Sequence, residues 1–157
     1  MNNSDYTFDD NFEDDLFFDV GDDMEFMGMP EAGPMDMSAE DHISMGRVYI
    51  TSNRFEEALL HLNEAISLEA KNGDAFFLRG TVHFHLGNND EAQEDFAKAL
   101  RAGAEEMKVL NFTGCLKARA GDFEGANADL ANVEDLSDLC LSQDQVKQLN
   151  EFRKLNG

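Results

Sequence analysis

From residue 37 onward the apolar positions of this 157-residue chain recur three and four apart, the spacing that gathers side chains on one face of an α-helix. No proline interrupts that stretch, because both prolines, Pro30 and Pro34, precede it. A longer period overlies the helical one. Gly46, Gly80 and Gly114 lie 34 residues apart, and so do Ala58, Ala92 and Ala126. Leu62, Phe96 and Leu130 keep the same interval, followed by Ala65, Ala99 and Val133. Four columns in phase mark an internal repeat. Small residues in the first two columns are what close helix crossings require, since a bulky side chain would push the axes apart. Asn53-Arg54, Gly87-Asn88 and Gly121-Asp122 supply a turn signal inside each unit. After the third unit, Ser142 and Gln145 form a capping-box start, and Val146, Leu149, Phe152 and Leu155 make an apolar seam on a final helix over residues 142–156. An all-α chain of about seven helices follows.

These columns resemble the tetratricopeptide repeat, over residues 39–72, 73–106 and 107–140. The matching pieces run from Gly46, Tyr49, Phe55, Ala58, Leu62 and Ala65 through Gly80, Gly87, Ala92, Phe96 and Ala99 to Gly114, Gly121, Phe123, Ala126 and Leu130. Departures stand beside them. The aromatic usual early in the first helix is His42, Phe76 and Leu110 in the three units, and His83 and Lys117 replace the aromatic that Tyr49 supplies. Ala70 and Ala104 stand where the family has proline. The resemblance implies helix pairs stacked into an α-α superhelix, a solenoid whose concave groove takes a polypeptide, with residues 142–156 as a capping helix.

By position in the family, the groove residues are Ile43, Arg47 and Ile50 in the first unit, Phe77, Thr81, Phe84 and His85 in the second, and Lys108, Asn111, Phe112 and Arg119 in the third. The family's dicarboxylate clamp for the acidic C-terminus of large chaperones would fall on Ile43, Arg47, Leu78, Lys108 and Phe112, of which Lys108 alone has a suitable side chain. That ligand is therefore not expected. An apolar, aromatic centre flanked by cations is.

Charge changes the picture at the other end. The chain carries a net −21, and residues 1–46 hold 14 of its 33 acids and none of its 12 bases. Such a balance disfavours nucleic-acid backbones and anionic membrane, which need clustered cations. Phe12 to Phe26, FEDDLFFDVGDDMEF, sets seven large apolar residues among seven carboxylates. Residues 1–36 form an acidic leader expected either to be disordered or to dock on the repeat domain, residues 37–157, of its own molecule or of a second copy. Phe12, Leu16, Phe17 and Val20 would make that contact, for Phe12, Leu16 and Val20 share a face if the segment turns helical. A leader that itself recognises another protein is the third reading.

Sites for chemistry are sparse. His83 and His85 point to different faces of one helix, and His42 and His61 lack ligands at metal spacing, so no metal or cofactor is expected. Asp9, Asn11 and Glu13 begin like a calcium loop, but Asp14 and Val20 stand where Gly and Glu are needed. Cys115 and Cys140 make no disulfide framework, and Cys115 beside Gly114 reads as a small interior residue. The opening residues lack the basic and apolar regions of a secretory signal, and no apolar run approaches the ~20 residues that cross a bilayer. The expectation is a cytoplasmic, non-enzymatic, co-chaperone-like adaptor that binds a protein or peptide and is regulated by its own tail. The alternatives are a holding chaperone of the secretion type and a structural scaffold subunit.

Overall fold

The computed structural model describes residues 36–157, which form seven α-helices and no strand. The acidic leader and its proposed contacts, Phe12, Leu16, Phe17 and Val20, lie outside the described residues. The helices are α1 (Ala39–Thr51), α2 (Phe55–Leu68), α3 (Gly73–Leu86), α4 (Asn89–Arg101), α5 (Glu106–Ala120), α6 (Phe123–Asp129) and α7 (Gln143–Asn156).

The turn signals fall between α1 and α2, α3 and α4, and α5 and α6. At each turn one residue adopts the left-handed conformation: Asn53 at φ 55°, Gly87 at 80° and Gly121 at 84°. Glycine reaches that region freely and asparagine more readily than most other residues, which accounts for the two residue types in this column. Four of the seven helix starts are capped by a side chain. Ser38 accepts from Asp41 N–H and Ser142 from Gln145 N–H, each in a reciprocal capping box.

Each helix pair closes on its glycine column. A methyl group added at Gly46 would stand 2.8 Å from Leu62 Cδ2, at Gly80 2.8 Å from Phe96 Cε1, and at Gly114 2.5 Å from Leu130 Cγ. The small and large columns of the sequence are thus the two sides of one contact, repeated three times. Leu62, Phe96 and Leu130 are fully buried, as are Ala58, Ala92 and Ala126.

The pairs stack with a bias. α1 touches α3, and α3 touches α5, whereas α2, α4 and α6 do not touch one another. The odd-numbered helices therefore crowd on an inner wall while the even-numbered ones splay outward. α7 packs on both α6 and α5, covering the last pair through the fully buried Leu149.

One element is shorter than the pattern suggests. Leu130 and Val133 continue the helical columns, yet α6 ends at Asp129. The carbonyls of Leu130 and Val133 accept from Arg153 of α7, at 2.7 and 3.0 Å, and Arg153 Nε donates to Asn127 Oδ1 at 2.8 Å. A side chain from α7 takes over acceptors that another helical turn would have used. Val133 still reaches the cluster of Ala118, Ala126, Leu130, Leu136 and Leu149, but from a loop.

Candidate functional site

The inner wall is built from residues of α1, α3 and α5 that the stacking leaves uncovered. At its centre Phe77, Phe84, Phe96 and Phe112 form one aromatic cluster. Phe84 and Phe112 meet edge to face at 5.3 Å, and Phe77 and Phe112 at 5.6 Å. Phe96 is fully buried below them, while Phe77 and Phe112 are half-buried.

This arrangement corrects part of the expected groove. Ile43 is completely buried with Ala65 and Ala75. Phe84 is 3% exposed, and Thr81 is 7% exposed with its hydroxyl donating to the Phe77 carbonyl at 2.9 Å. All three pack between helices rather than face a guest, because crowding of the odd-numbered helices buries the side chains closest to their crossings. Of the remaining expected residues, Arg47, His85, Lys108 and Arg119 are exposed, and Ile50, Asn111, Phe77 and Phe112 are half-buried.

The cations differ in availability. Arg47 pairs with Asp74 at 3.1 Å, and Lys108 with Glu105 at 2.6 Å, with all four side chains more than half exposed. Such surface pairs are worth little, about 0–1 kcal/mol, and exchange readily with another carboxylate. Arg119 belongs to no ion pair among the described residues. Its guanidinium instead lies 4.8 Å from the centre of the Phe84 ring. His85 meets the same ring edge-on at 5.6 Å and stacks on Phe55 at 5.4 Å, nearly parallel. Partial desolvation, and then the positive charge of Arg119, hold His85 below the ordinary imidazole value of 6.5. Arg119 and His85 thus share one corner of the wall, over an aromatic floor.

Sequence reasoning missed Phe55, which comes from the start of α2, and the segment Leu139–Leu141. Leu139 and Leu141, from the loop before α7, pack against the buried core that contains Phe84, Phe96, Val109, Cys115 and Leu116. Two leucines flanking one cysteine were the available signal, and only tertiary packing says where they go.

Away from the wall, a cavity of about 580 Å³ opens between α4, α5 and α6, with Leu100, Leu110 and Leu116 among its lining residues. Lys117 and Asp129 pair beside it at 2.8 Å. His42 and His61 approach at 3.0 Å between their Nδ1 atoms, so one ring donates and the other accepts. Among the described residues no three His, Cys, Asp or Glu side chains gather as a metal site would require, and no helix is long and apolar enough to cross a membrane.

The family model for the tetratricopeptide repeat matches residues 43–106. The chain is similar to the peptidyl-prolyl cis-trans isomerase FKBP42 of Arabidopsis thaliana, 32% identical over 106 residues, which cover 58% of this chain and 29% of that protein. It is similar to the tetratricopeptide repeat and J domain-containing co-chaperone DNJ1 of Fusarium oxysporum f. sp. lycopersici, 29% identical over 101 residues, covering 63% of this chain and 19% of that one. DnaJ homolog subfamily C member 3 of Gallus gallus is 27% identical over 111 residues, covering 71% and 22%. The chain therefore spans less than a third of the length of each of these relatives. Among solved structures, the first TPR of Spaghetti (RPAP3) bound to HSP90 peptide SRMEEVD superposes with a TM-score of 0.59 at 17% identity, covering 75% of this chain and 94% of that one.

Proposed function

The chain is a tetratricopeptide-repeat protein, and we propose that it works as a protein-interaction module whose inner wall holds a short segment of a partner protein. The observation that carries this reading is the Arg119–His85 corner over Phe84, with the half-buried rings of Phe77 and Phe112 in the same aromatic cluster. The guest is a segment with an apolar anchor for the ring edges and a carboxylate for Arg119. It carries few carboxylates, because a chain of net charge −21 repels a strongly acidic segment at long range.

Co-chaperone names among the relatives, and the HSP90 peptide on the structural neighbour, support a place in the co-chaperone class. The guest differs from that peptide in how it is gripped. Ile43, Leu78 and Phe112 stand at clamp positions with side chains that cannot bind a terminal carboxylate by charge. The module acts without catalysis of its own. The isomerase in one relative's name belongs to a protein of which this chain covers 29%, and the matched family model describes repeats. A cytoplasmic location goes with this reading.

A synthetic peptide combining Phe and Glu residues tests it by fluorescence anisotropy. Arg119→Glu should weaken binding about tenfold, equivalent to ~1.4 kcal/mol. Binding should also carry a pH signature. The free protein holds His85 neutral, and a guest carboxylate beside it favours the protonated ring, so affinity should rise as pH falls through and below 6.5. His85→Asn should flatten that rise. Equal affinity for Arg119→Glu and wild type, together with a flat pH profile, would remove the corner from the site.

A further inference from the structure

The cavity between α4, α5 and α6 lies away from the inner wall, where α5 runs between two helices, α4 and α6, that do not touch each other. Its walls are regular. Gln93, Ala97 and Leu100 recur along one face of α4, and Leu110, Thr113 and Lys117 along one face of α5. Leu100 is exposed and Leu110 half-buried, so the repeats seal neither leucine. A volume of about 580 Å³ falls within the range of pockets that hold a ligand.

The rim has one predominant sign. Asp90 stands in the first turn of α4, and Asp122 and Asp129 at the two ends of α6. Among the described residues Lys117 is the one base that lines the cavity, and Asp129 holds it at 2.8 Å. Asp122 accepts the Gly125 N–H at 2.9 Å, which leaves its charge unmatched by a base. Neither Asp90 nor Asp122 belongs to an ion pair among the described residues. The net charge of −21 adds to this local field, drawing in cations and repelling a second copy of the chain at long range.

We propose that this cavity is a second docking site, one that takes a basic amphipathic segment of a partner protein. Its apolar side chains rest on Leu100, Leu110 and Leu116, and its Lys or Arg side chains meet Asp90 and Asp122. The two sites of the domain have opposite preferences. Cations over aromatic rings on the inner wall suit a carboxylate, whereas acids around leucines suit a base. Partners of opposite charge can therefore be held side by side on one module. The two sites share no residue, so each stands or falls by its own test.

The test titrates the full-length protein with a fluorescein-labelled synthetic peptide whose leucines recur three and four apart among lysines. Binding should weaken as salt rises, and amide shifts should gather at Ala97, Leu100, Leu110 and Thr113. Ala97 is exposed and helical, so Ala97→Arg keeps the fold while it obstructs the opening and adds like charge. Affinity should then fall about tenfold, and about fivefold for Asp90→Lys. A peptide with serine in place of each leucine, at unchanged charge, separates docking from general attraction to an acidic protein. Equal affinity for the serine peptide, wild-type affinity in Ala97→Arg, or shifts gathered on the inner wall would each overturn the proposal. So would a dimer of the peptide-free protein that Ala97→Arg dissociates, since a second copy would then be the occupant.

Discussion

Asp95→Ala should remove about 3 kcal/mol of folding stability, read from the urea midpoint at unchanged slope. The Asp95 side chain is 4% exposed and receives Nε and Nη2 of Arg79, both at 2.7 Å. Arg79 also donates to Asn63 Oδ1 at 2.8 Å, and His83 Nε2 stands 4.0 Å from the same carboxylate. Hydrogen bonding to Asp95 raises the Arg79 pKa further above its ordinary value, so the guanidinium stays charged. Truncating the acid leaves that cation largely enclosed and unmatched. Removal of one partner from a buried pair typically costs roughly 3–5 kcal/mol, and the lower end applies because Arg79 keeps 19% of its side chain in contact with water. The double replacement Arg79→Met with Asp95→Leu should recover most of the loss, since no unmatched charge then remains. A double variant as unstable as Asp95→Ala would show that packing, not charge, sets the effect.

Gly80→Val should destabilise by a similar amount, roughly 3 kcal/mol. The first added carbon would lie 2.8 and 2.9 Å from two atoms of the Phe96 ring and 3.3 Å from the Ala92 carbonyl oxygen. Phe96 has nowhere to retreat, being fully buried and packed against Phe77 and Phe112. Replacing a mid-helix glycine returns a little stability through backbone entropy, under about 1 kcal/mol, which is smaller than the overpacking cost of a branched side chain at this distance. The penalty should shrink in a Phe96→Leu background, where the facing side chain is smaller. An equal penalty in both backgrounds would mean that the column is not a packing contact.

The helical architecture was legible because each column is a physical contact repeated in register. Gly80 against Phe96 and Gly114 against Leu130 make the 34-residue period visible in the order of residues alone. The apparent departures were also orderly, although only the structure shows why. Tyr49 stacks on His61, His83 faces Asp95 at 4.0 Å, and Lys117 pairs with Asp129 at 2.8 Å. The residues that replace the family aromatic are thus matched by a second column, 12 positions on and in the facing helix. Reading the two columns as one pair would have found them.

The end of α6 was hidden for a different reason. Its apolar spacing continues, and the competing partner, Arg153, comes from another helix twenty residues later. At the inner wall, position in the repeat located Arg119, His85 and Lys108 on exposed ground but did not separate them from Ile43, Thr81 and Phe84, which neighbouring helices bury. Depth depends on how tightly α1, α3 and α5 crowd, and that spacing is a tertiary property.

The most direct measurement is amide-shift mapping of the 15N-labelled protein during titration with the Phe- and Glu-containing peptide. The account predicts that the largest changes gather on the inner wall, at His85, Lys108, Asn111, Phe112 and Arg119. Changes gathered instead around Leu100, Leu110 and Lys117, on the cavity between α4 and α6, would contradict it.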